Sequence, residues 1–506
     1  MIGFVDMLEL GRRRPGAGVA FTTPGVRTWE LEELWTDVHR LADALAGKGF
    51  RAGHRAAILA TDSYEYMVVI LACMRLGIVY VPLNYRLAGA ELDTILTHAR
   101  PELVFVGDRY APVVEASAAG REATTVALDP DGRGQLQFRD LVESGRDRPS
   151  EHRPGDEDVV AVCYTSGTTG RPKGVMQSQR SMKTEIWRQS QFPGSLGDVR
   201  YSASPMFHVA GHRTIFTHLA RGFTSVLLPQ FDAATLADLV RSASLDGAFL
   251  VPTMLDLVLD ELGPGTFRLP QLHYGGSTIS PRLLSRAIEH LDAEMFNLFG
   301  SSETGLVTVL DAADHRAAHA GRHELLGSLG RAAPGVDVRI LDPEDEEVPE
   351  GEVGEIVCRT DGALSGYLEL PEATAEVLRD GWVWTGDLAR RDAEGYHYYM
   401  GRSRDLIVRG GENIYPQEIE SVLSAVPGVT DVAVLGVPDE RWGESVVAVL
   451  ECRGAAPSAD DVRQLCQERL ASFKVPGEFV FAADLPRTAA GKIAKYRLRD
   501  ELGRRT

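Results

Sequence analysis

The 506-residue sequence is poor in several features that would narrow its function, and each shortage excludes a class of protein. Its five cysteines are scattered, odd in number and never spaced C-x-x-C, which argues against a disulfide framework or a zinc ribbon and fits a reducing compartment. No stretch approaches the ~20 apolar residues of a membrane helix, so we expect no integral contact with a membrane. The first segment, MIGFVDMLELGRRRPG, lacks the apolar run of a signal peptide, and we therefore expect a cytoplasmic location.

Basic residues are also outnumbered. The 53 Lys and Arg residues face 72 Asp and Glu residues, and the formal net charge is −19. A surplus of this sign argues against nucleic acid or an anionic membrane as the main partner, although a local basic pocket for a small anion remains compatible with it. The chain is too long for one hydrophobic core, so two or more domains are expected.

Alternating apolar segments predict the fold. Residues 28–50 are typical of an amphipathic helix that Thr28 can cap. A short strand, a second helix and a second strand follow at 55–60, 63–77 and 78–84. Strand, helix and strand in this order form a βαβ unit, which implies a parallel sheet covered by helices.

The pattern of apolar and polar residues changes twice towards the C-terminal end of the sequence. It becomes β-rich from about Ala332, and a compact α+β module of about a hundred residues follows the GRSRD segment. We therefore predict an α/β fold with two domains. Residues 1–402 would form a large N-terminal domain of βαβ layers plus a β-rich subdomain, and residues 403–506 a small α+β C-terminal domain.

The segment YTSGTTGRPKGV, residues 164–175, carries the strongest functional signal. Glycines let backbone N–H groups approach a phosphate closely, hydroxyls add donors, and Lys173 adds a point charge. The apolar run VVAVCYT before it predicts a strand that holds the loop in place. Pro172 stands where the Walker pattern needs glycine, so the loop is not a Walker motif. A flexible surface loop is the alternative for a generic segment of this composition.

This segment resembles the phosphate loop of the adenylate-forming superfamily, in its acyl-CoA synthetase and aryl-CoA ligase branch. Other motifs of the family follow in the family's order, so the resemblance covers nearly the whole chain. It implies an ATP-binding role for the residues that share this loop: Thr165, Ser166, Gly167, Thr168, Thr169, Gly170 and Lys173.

Three further segments look like nucleotide-binding motifs of that family. HYGGS resembles the loop beside the adenine, and LFGSSETG resembles a motif usually written Y-G-x-T-E. The resemblance implies an aromatic stack on adenine, a hydroxyl donor to phosphate and two ribose contacts, the latter in WVWTGDLARRD and GRSRD. The residues concerned are Gly275, Gly276, Ser277, Phe299 (commonly Tyr), Gly300, Ser302 (commonly Thr), Asp387 and Arg402.

Glu303 in LFGSSETG is intact relative to the family motif and is implied as a ligand of Mg²⁺. Mg²⁺ commonly takes one or two carboxylates together with substrate phosphates. Without the family context, an exposed glutamate in a turn would be the simpler interpretation.

The last hundred residues resemble the mobile C-terminal domain of the family. Lys492 in LPRTAAGKIAKYRLRD matches the family's catalytic lysine, while Lys495 and Arg499 are typical of solvated helix charges. Arg404 matches the hinge, where the family more often has Asp or Lys. Gly410 and Gly411 match the loop that lines the coenzyme A channel after the domain rotates.

The segment MFHVAGH resembles the entrance of the family's carboxylate pocket. His208 is implied to gate this pocket, and the acyl group would contact Phe207, Val209, Gly211 and Val307, together with Gly275, Gly276 and Gly300. No aspartate is present here to pair with an ammonium group, which disfavours an α-amino acid. These residues also include no cation for a second carboxylate. The four-residue spacing of His208 and His212 allows a zinc pair, but no third ligand is evident.

The sequence therefore predicts an ATP-dependent, AMP-forming acyl-CoA synthetase that uses ATP, Mg²⁺ and coenzyme A. Its partner would be a small-molecule carboxylic acid, with fatty acids and aryl or arylpropenoic acids equally favoured. An adenylation enzyme that loads a carrier protein is the first alternative, although no carrier segment is seen after Lys492. A luciferase-like oxygenase has no positive sign, and the joint presence of the motif residues speaks against an inactive binding protein. A homodimer remains open.

Overall fold

A computed structural model of the chain describes residues 3–13, 18–165, 172–409, 412–439, 442–453, 456–488 and 492–503. Its strands up to residue 310 are β1 (Val19–Thr23), β2 (Arg27–Glu30), β3 (Arg55–Leu59), β4 (Val79–Pro82), β5 (Leu103–Val106), β6 (Thr124–Ala127), β7 (Leu136–Gln137), β8 (Val159–Thr165), β9 (Lys173–Ser178), β10 (Val199–Ser202), β11 (Thr224–Val226), β12 (Gly247–Leu250), β13 (Phe267–Gly275), β14 (Leu291–Ser301) and β15 (Gly305–Leu310). The later strands are β16 (Ser328–Ala332), β17 (Asp337–Leu341), β18 (Val353–Arg359), β19 (Gly366–Tyr367), β20 (Leu378–Arg379), β21 (Trp382–Arg391), β22 (His397–Arg402), β23 (Ile407–Arg409), β24 (Glu412–Ile414), β25 (Val429–Asp439), β26 (Gly443–Cys452) and β27 (Glu478–Ala482).

The helices lie between these strands and cover the sheets. They are α1 (Phe4–Glu9), α2 (Leu31–Gly47), α3 (Tyr64–Leu76), α4 (Gly89–Ala99), α5 (Ala111–Ala116), α6 (Ala118–Glu122), α7 (Phe138–Ser144), α8 (Gln179–Gln189), α9 (Val209–Arg221), α10 (Ala233–Arg241), α11 (Pro252–Leu262), α12 (Pro281–His290), α13 (Ala312–His319), α14 (Pro371–Val377), α15 (Pro416–Leu423), α16 (Ala459–Arg469) and α17 (Lys495–Gly503). Among the described residues, no helix combines the length and the apolar character that crossing a membrane requires.

Three sheets organise the described chain. The largest has 14 strands in the order β17-β18-β21-β22-β16-β15-β14-β13-β12-β10-β11-β1-β2, with β20 beside β21. The second has eight strands in the order β19-β9-β8-β4-β3-β5-β6-β7, and the third contains β23 to β27. The adjacent strands β11, β10, β12, β13 and β14 run parallel, as the βαβ pattern predicts. The predicted α/β fold with a β-rich part and a smaller C-terminal lobe is therefore confirmed.

The predicted capping of the first long helix by Thr28 is wrong. Thr28 lies in β2, which pairs antiparallel with β1, and its hydroxyl meets that of Thr22 at 3.3 Å. Because the backbone around Thr28 is committed to this hairpin, the helix begins only at Leu31, after an N-cap glutamate that makes no side-chain capping bond. The predicted strands and helices at 55–60, 63–77 and 78–84 are present as β3, α3 and β4.

The sheet that the chain joins changes near the predicted domain boundary. Strand β22 ends at Arg402 in the largest sheet, a short 3₁₀ turn covers Ser403–Asp405, and β23 begins the third sheet at Ile407. The small lobe has its own apolar core, which contains Ile419, Leu423 and Val434. The boundary between residues 402 and 403 stays a prediction, and this change of sheet is consistent with it.

A buried ionic cluster holds the turn that follows β14. Glu185 and Arg188 on α8 pair at 2.6 Å, and their side chains are 3% and 1% exposed. Glu185 also accepts from the backbone N–H of Leu306 at 3.1 Å, and Arg188 donates to the carbonyl oxygens of Pro334 and Gly335 at 3.0 and 3.1 Å. The cluster thereby fixes the backbone around residues 302–306, which carries part of the candidate site.

Arg188→Leu should lower the thermal midpoint of unfolding by several degrees. The substitution leaves Glu185 buried without its short partner, and breaking such a pair costs about 3–5 kcal/mol. Arg139→Leu is the matched control, because Arg139 makes an exposed pair with Glu143 on α7. Equal midpoints for the two variants would contradict a structural role of the buried cluster.

Candidate active site

The candidate site lies where parallel strands β13 and β14 end. Ligands of open α/β sheets bind outside the carboxyl ends of strands, so this edge is the expected place. A Cβ atom on Gly275 would lie 2.2 Å from the carbonyl oxygen of Leu298, and one on Gly300 would lie 2.0 Å from that of Gly305. Both positions therefore require glycine. Phe299, the residue before Gly300 on β14, is half-buried.

Asp387 and Arg402 form an ion pair beside this edge. They are register partners on the antiparallel strands β21 and β22, and Arg402 Nε lies 2.8 Å from Asp387 Oδ1. Arg402 also donates through Nη1 to the carbonyl oxygen of Thr385 at 3.1 Å. Burial raises the pKa of Asp387 to about 6, against the opposing charges of Arg402 and Lys492. The pair therefore offers a carboxylate and a guanidinium that are already fixed relative to each other.

A tyrosine links two of the predicted phosphate-side residues. Tyr367 Oη donates to Glu303 Oε1 at 3.0 Å, and Lys173 Nζ lies 4.9 Å from the centre of the Tyr367 ring. Lys173 and Thr165 are register partners on β9 and β8, so both ends of the phosphate loop are anchored next to each other. Ser302, beside Glu303, is held through its carbonyl oxygen by the buried amide of Gln177 at 2.8 Å.

Lys492 reaches this site from the small lobe. Thr488 N donates to Lys492 O at 2.7 Å, Ala494 N donates to Pro486 O at 2.7 Å, and Arg487 pairs with Asp431 at 2.9 Å. These contacts hold the two flanks of the lysine-bearing segment against the third sheet.

The charges around Lys492 show which groups surround it. Partial desolvation lowers the pKa of Lys492 although its side chain remains exposed to the cleft, and the charge of Arg402 lowers it further. Asp387 and Glu303 act in the opposite direction. The ammonium group is therefore placed among charged residues of the large lobe.

His208, which the sequence predicts at the entrance of the acyl pocket, is the N-cap of α9. Burial lowers its pKa to about 4, and Arg86 and Lys492 add to the effect, so its ring is neutral near pH 7. Its neighbour Phe207 packs edge-on against Tyr85 at 5.2 Å, and Arg86 lies over the Phe207 ring at 5.9 Å. The neutral imidazole therefore lies beside the Phe207 ring, at a centroid distance of 4.4 Å, and within electrostatic reach of Lys492.

The geometry agrees with the comparisons to known proteins. The family model described as "AMP-binding enzyme" matches residues 10–368, and the model for the C-terminal domain of the same enzymes matches residues 418–492. The chain belongs to the AMP-binding enzyme family. The resemblance to the adenylate-forming superfamily is thereby confirmed.

Among relatives in this AMP-binding family, two are equally similar to the chain. It is 37% identical over 500 residues to the fatty acid–[acyl-carrier-protein] ligase ScoC of Streptomyces coeruleorubidus, covering 95% of this chain and 93% of the relative. It is 37% identical over 476 residues to the indoleacetate–CoA ligase of Aromatoleum aromaticum, covering 93% and 92%. The crystal structure of ATP-bound MatB from Rhodopseudomonas palustris superposes with a TM-score of 0.89 at 30% identity and covers 99% of both chains.

Several predicted site residues of this AMP-binding enzyme are brought together and others are not. Residues 166–170 of the phosphate loop, together with Gly410 and Gly411, lie outside the described residues. Gly276 and Ser277 are exposed at the end of β13, and Arg404 is exposed in the 3₁₀ turn between the lobes. The roles assigned to these residues stay predictions.

Val307 is fully buried in a core cluster with Val175 and Ile340, and its role in the acyl pocket stays a prediction. Another prediction needs correction. Lys495 is not a solvated charge, because its ammonium group lies 2.7 Å from Glu420 and only 20% of its side chain is exposed. Arg499 likewise lies 3.4 Å from Asp405. Sequence periodicity does not reveal such pairings between distant elements.

Sequence reasoning also missed residues that contact or support the site. Tyr367 and Arg86 lie in no motif that was recognised, and Gln177 follows the phosphate loop on β9 without a chemical signature. The signal that could have found Tyr367 is the pairing of β19 with β9, which sets Tyr367 opposite Val175. This pairing joins segments almost 200 residues apart and leaves no local trace.

Asp387→Asn tests the raised pKa of the buried carboxylate. In the unaltered protein the carboxylate is almost fully ionised at pH 7.5 and only about one quarter ionised at pH 5.5, given a pKa of about 6. If the carboxylate accepts hydrogen bonds from the nucleotide sugar, the AMP affinity of the unaltered protein, measured by calorimetry, should fall as the pH is lowered from 7.5 to 5.5. This fall should be about four-fold larger than that of the Asp387→Asn variant over the same range. The pH dependence of AMP binding by the variant reports the titration of the AMP phosphate alone. Parallel pH profiles would contradict a carboxylate contact with the nucleotide.

Proposed function

We propose that this cleft joins a carboxylic acid to AMP and then transfers the acyl group to coenzyme A, with Lys492 serving the first step. The chain is an ATP-dependent, AMP-forming acyl-CoA ligase, as its family and its relatives indicate. The observation that carries the assignment of residues is the position of Lys492, a small-lobe residue, within electrostatic reach of Asp387, Arg402 and Glu303.

The first step needs a positive charge because a carboxylate approaches the α-phosphate of ATP, and both groups are anionic. Lys492 can lie between them and reduce the repulsion, and its charge becomes more effective as negative charge shifts onto the departing pyrophosphate. Burial and then the charge of Arg402 lower the pKa of Lys492, while Asp387 and Glu303 oppose them, so the lysine lies among the charged groups of the cleft.

The nucleotide would be oriented by groups that are already in place. Asp387 can accept from both ribose hydroxyls while Arg402 keeps it in position, and Phe299 offers a ring for the adenine. Thr165 and Lys173 would contact the β- and γ-phosphates from the two ends of their loop. Each of these groups is anchored on a strand, which favours a single binding pose.

Glu303 fits the expected magnesium site. Tyr367 occupies one of its carboxylate oxygens, and the other remains for a cation. In the described part of the chain, no group of three or more His, Cys, Asp or Glu side chains could hold a metal ion. One carboxylate together with substrate phosphates suits Mg²⁺, which would neutralise charge on the triphosphate.

The second step requires a different lobe orientation. Lys492 now lies in the cleft, an arrangement suited to adenylate formation. Rotation about Arg404 would withdraw it and bring the segment of Gly410 and Gly411 to the acyl-adenylate. An inter-lobe pair, Arg453 with Asp260 at 3.9 Å, is exposed and therefore a weak restraint on this motion. The thiol of coenzyme A would then displace AMP.

The acceptor is the point on which the relatives differ. One transfers to a carrier protein and the other to coenzyme A, at the same identity. The net charge of −19 does not distinguish the two acceptors, because coenzyme A is an anion and an acidic carrier protein would carry charge of the same sign. We favour coenzyme A, and we also propose a cytoplasmic location, which the five unpaired cysteines support.

Coenzyme A should raise steady turnover of ATP in the presence of an accepted acid. Without it, we expect pyrophosphate release to stop after roughly one equivalent of enzyme, because the adenylate stays bound. The measurement is pyrophosphate release with a panel of acids, with and without coenzyme A. An acyl carrier protein in place of coenzyme A is the control, and thioester formed only with that protein would overturn the assignment of the acceptor.

Lys492→Ala should abolish adenylate formation while leaving thioester formation from a supplied acyl-adenylate largely intact. The expected loss in ATP–pyrophosphate exchange is at least about 10²-fold, typical of removing one charge-stabilising donor. Lys48→Ala, at an exposed position after α2, is the control for loss of a lysine. Equal loss of both half-reactions would show that Lys492 is not specific to the first.

A further inference from the structure

Two side chains hold the β10–α9 loop, residues 203–208, from opposite sides. The loop ends with Phe207 and His208, which the sequence predicts at the acyl pocket. Asp62 Oδ1 accepts from the backbone N–H of Met206 at 2.9 Å, and His212 Nδ1 meets the carbonyl oxygen of Met206 at 3.0 Å. Both polar backbone groups of the residue before Phe207 are therefore bonded to side chains of other segments.

The bond from Asp62 joins two sheets. Asp62 follows β3 of the second sheet, and Met206 follows β10 of the largest sheet. Both strands run parallel to their neighbours, and ligands of open α/β sheets bind at the carboxyl ends of such strands. Ser63, the next residue, caps α3 by accepting from the backbone N–H of Tyr66 at 3.2 Å. The carboxylate of Asp62 thus reaches the loop from a turn that is itself fixed.

The bond from His212 fixes one tautomer of a buried ring. His212 is fully buried and donates from Nδ1, because a carbonyl oxygen can only accept. Burial lowers its pKa to about 3, so the ring is neutral at pH 7 and Nε2 carries no proton. The ring packs against Tyr80 and Phe216 at centroid distances of 5.4 and 5.6 Å. The second histidine of the H-x-x-x-H spacing therefore has a role that needs no metal.

The β10–α9 loop lies in close contact with the first turn of α9. A Cβ atom on Gly211 would lie 2.1 Å from the carbonyl oxygen of Pro205 and 2.4 Å from that of Ser204. His208 N donates to Pro205 O at 2.9 Å, and Gly211 N donates to His208 O at 3.0 Å. Because packed segments transmit displacements, a shift of Met206 would move His208 as well. The predicted contact of Gly211 with the acyl group stays a prediction.

We infer that Asp62 and His212 are positioning residues for the carboxylic acid, and that they act through the backbone of Met206. By holding Met206 they determine where the side chains of Phe207 and His208 lie. The inference rests on the proposed function and adds two residues to it that are expected to touch neither the acid nor the nucleotide. Their loss should therefore weaken the binding of the acid and leave the binding of ATP unchanged.

The hydrogen bond to Met206, rather than the charge of the carboxylate, should be the useful property of Asp62. Burial raises the pKa of Asp62 to about 7, although the N–H of Met206 and the charge of Arg86 oppose this effect. An amide oxygen can accept the same N–H without the cost of burying a charge. Asp62→Asn should therefore keep the position of the loop, whereas Asp62→Ala should release it.

The first experiment measures ATP–pyrophosphate exchange for Asp62→Ala and His212→Phe. Phenylalanine keeps a ring against Tyr80 and Phe216 but removes the donor. Decanoic acid and cinnamic acid are the probes, one from each favoured class, and KM is taken with the acid that exchanges faster. We expect KM for the acid to rise at least about 10-fold in both variants, because small misplacements of positioning groups are costly. KM for ATP should stay within about two-fold.

Asp246→Ala is the matched control. Asp246 is partly buried like Asp62, and its Oδ2 accepts from the backbone N–H of Val199 at 2.9 Å, which is the same kind of bond at the other end of β10. Its loss should lower the thermal midpoint about as much as Asp62→Ala and leave KM for the acid unchanged. An equal rise in this KM would show that general loosening of β10 is responsible and would overturn the inference.

Rescue by the conservative variant separates the bond from other effects of truncation. In Asp62→Asn, KM for the acid should return to within about three-fold of the value for the unaltered protein, because the acceptor is present again. A value as high as that of Asp62→Ala would contradict positioning through Met206. An unchanged KM for the acid in folded Asp62→Ala and His212→Phe would likewise overturn the inference.

Crystal structures of the unaltered protein and of Asp62→Ala test the inference without any acid. We expect the backbone of Met206 and His208 to differ by at least about 1 Å between them, with the pair of Asp387 and Arg402 unchanged. A loop in the same position in both would overturn the inference whatever the kinetics show. Absence of exchange with every acid of a broad panel would instead count against the proposed function, and the two structures would still decide the inference.

Discussion

Electrostatic repulsion between two anions is the constraint that organises this protein. A carboxylate and a triphosphate must meet in a chain whose own net charge is −19, so cations have to be supplied locally and at the right time. Three such cations are Arg402 at the end of β22 in the largest sheet, Lys173 at the start of β9 in the second sheet, and Lys492. Of these three, only Lys492 comes from the small lobe, and we propose that it is withdrawn without disturbing the nucleotide site.

Other contacts of the large lobe hold the charged groups of the candidate site in fixed positions. Asp387 and Arg402 are paired by strand register, and Glu303 is held by Tyr367 from a different strand pairing. Behind them, the buried pair of Glu185 and Arg188 fixes the backbone that carries Glu303. A rigid nucleotide site combined with a separate cation-bearing lobe allows two half-reactions to use one cleft.

Much of this could be predicted from the sequence, because the relevant signals are local. Apolar periodicity located α3, β3 and β4, and the phosphate-loop string together with the motifs around Glu303, Asp387 and Lys492 predicted the chemistry. The failures concern contacts between separate elements. Thr28 was predicted to cap a helix because the sequence around it does not reveal its pairing with β1, six residues earlier. Tyr367 was missed because its position depends on the pairing of β19 with β9, which joins segments far apart in the chain.

A crystal structure with α,β-methylene-ATP and an accepted acid tests the central claim most directly. This nucleotide cannot be cleaved at the reacting phosphorus, so the complex is held before the first step. The account predicts that Lys492 Nζ contacts both the α-phosphate and the acid carboxylate, while the ribose hydroxyls lie on Asp387. A well-ordered Lys492 that contacts neither anion, with both substrates bound in the cleft, would contradict it.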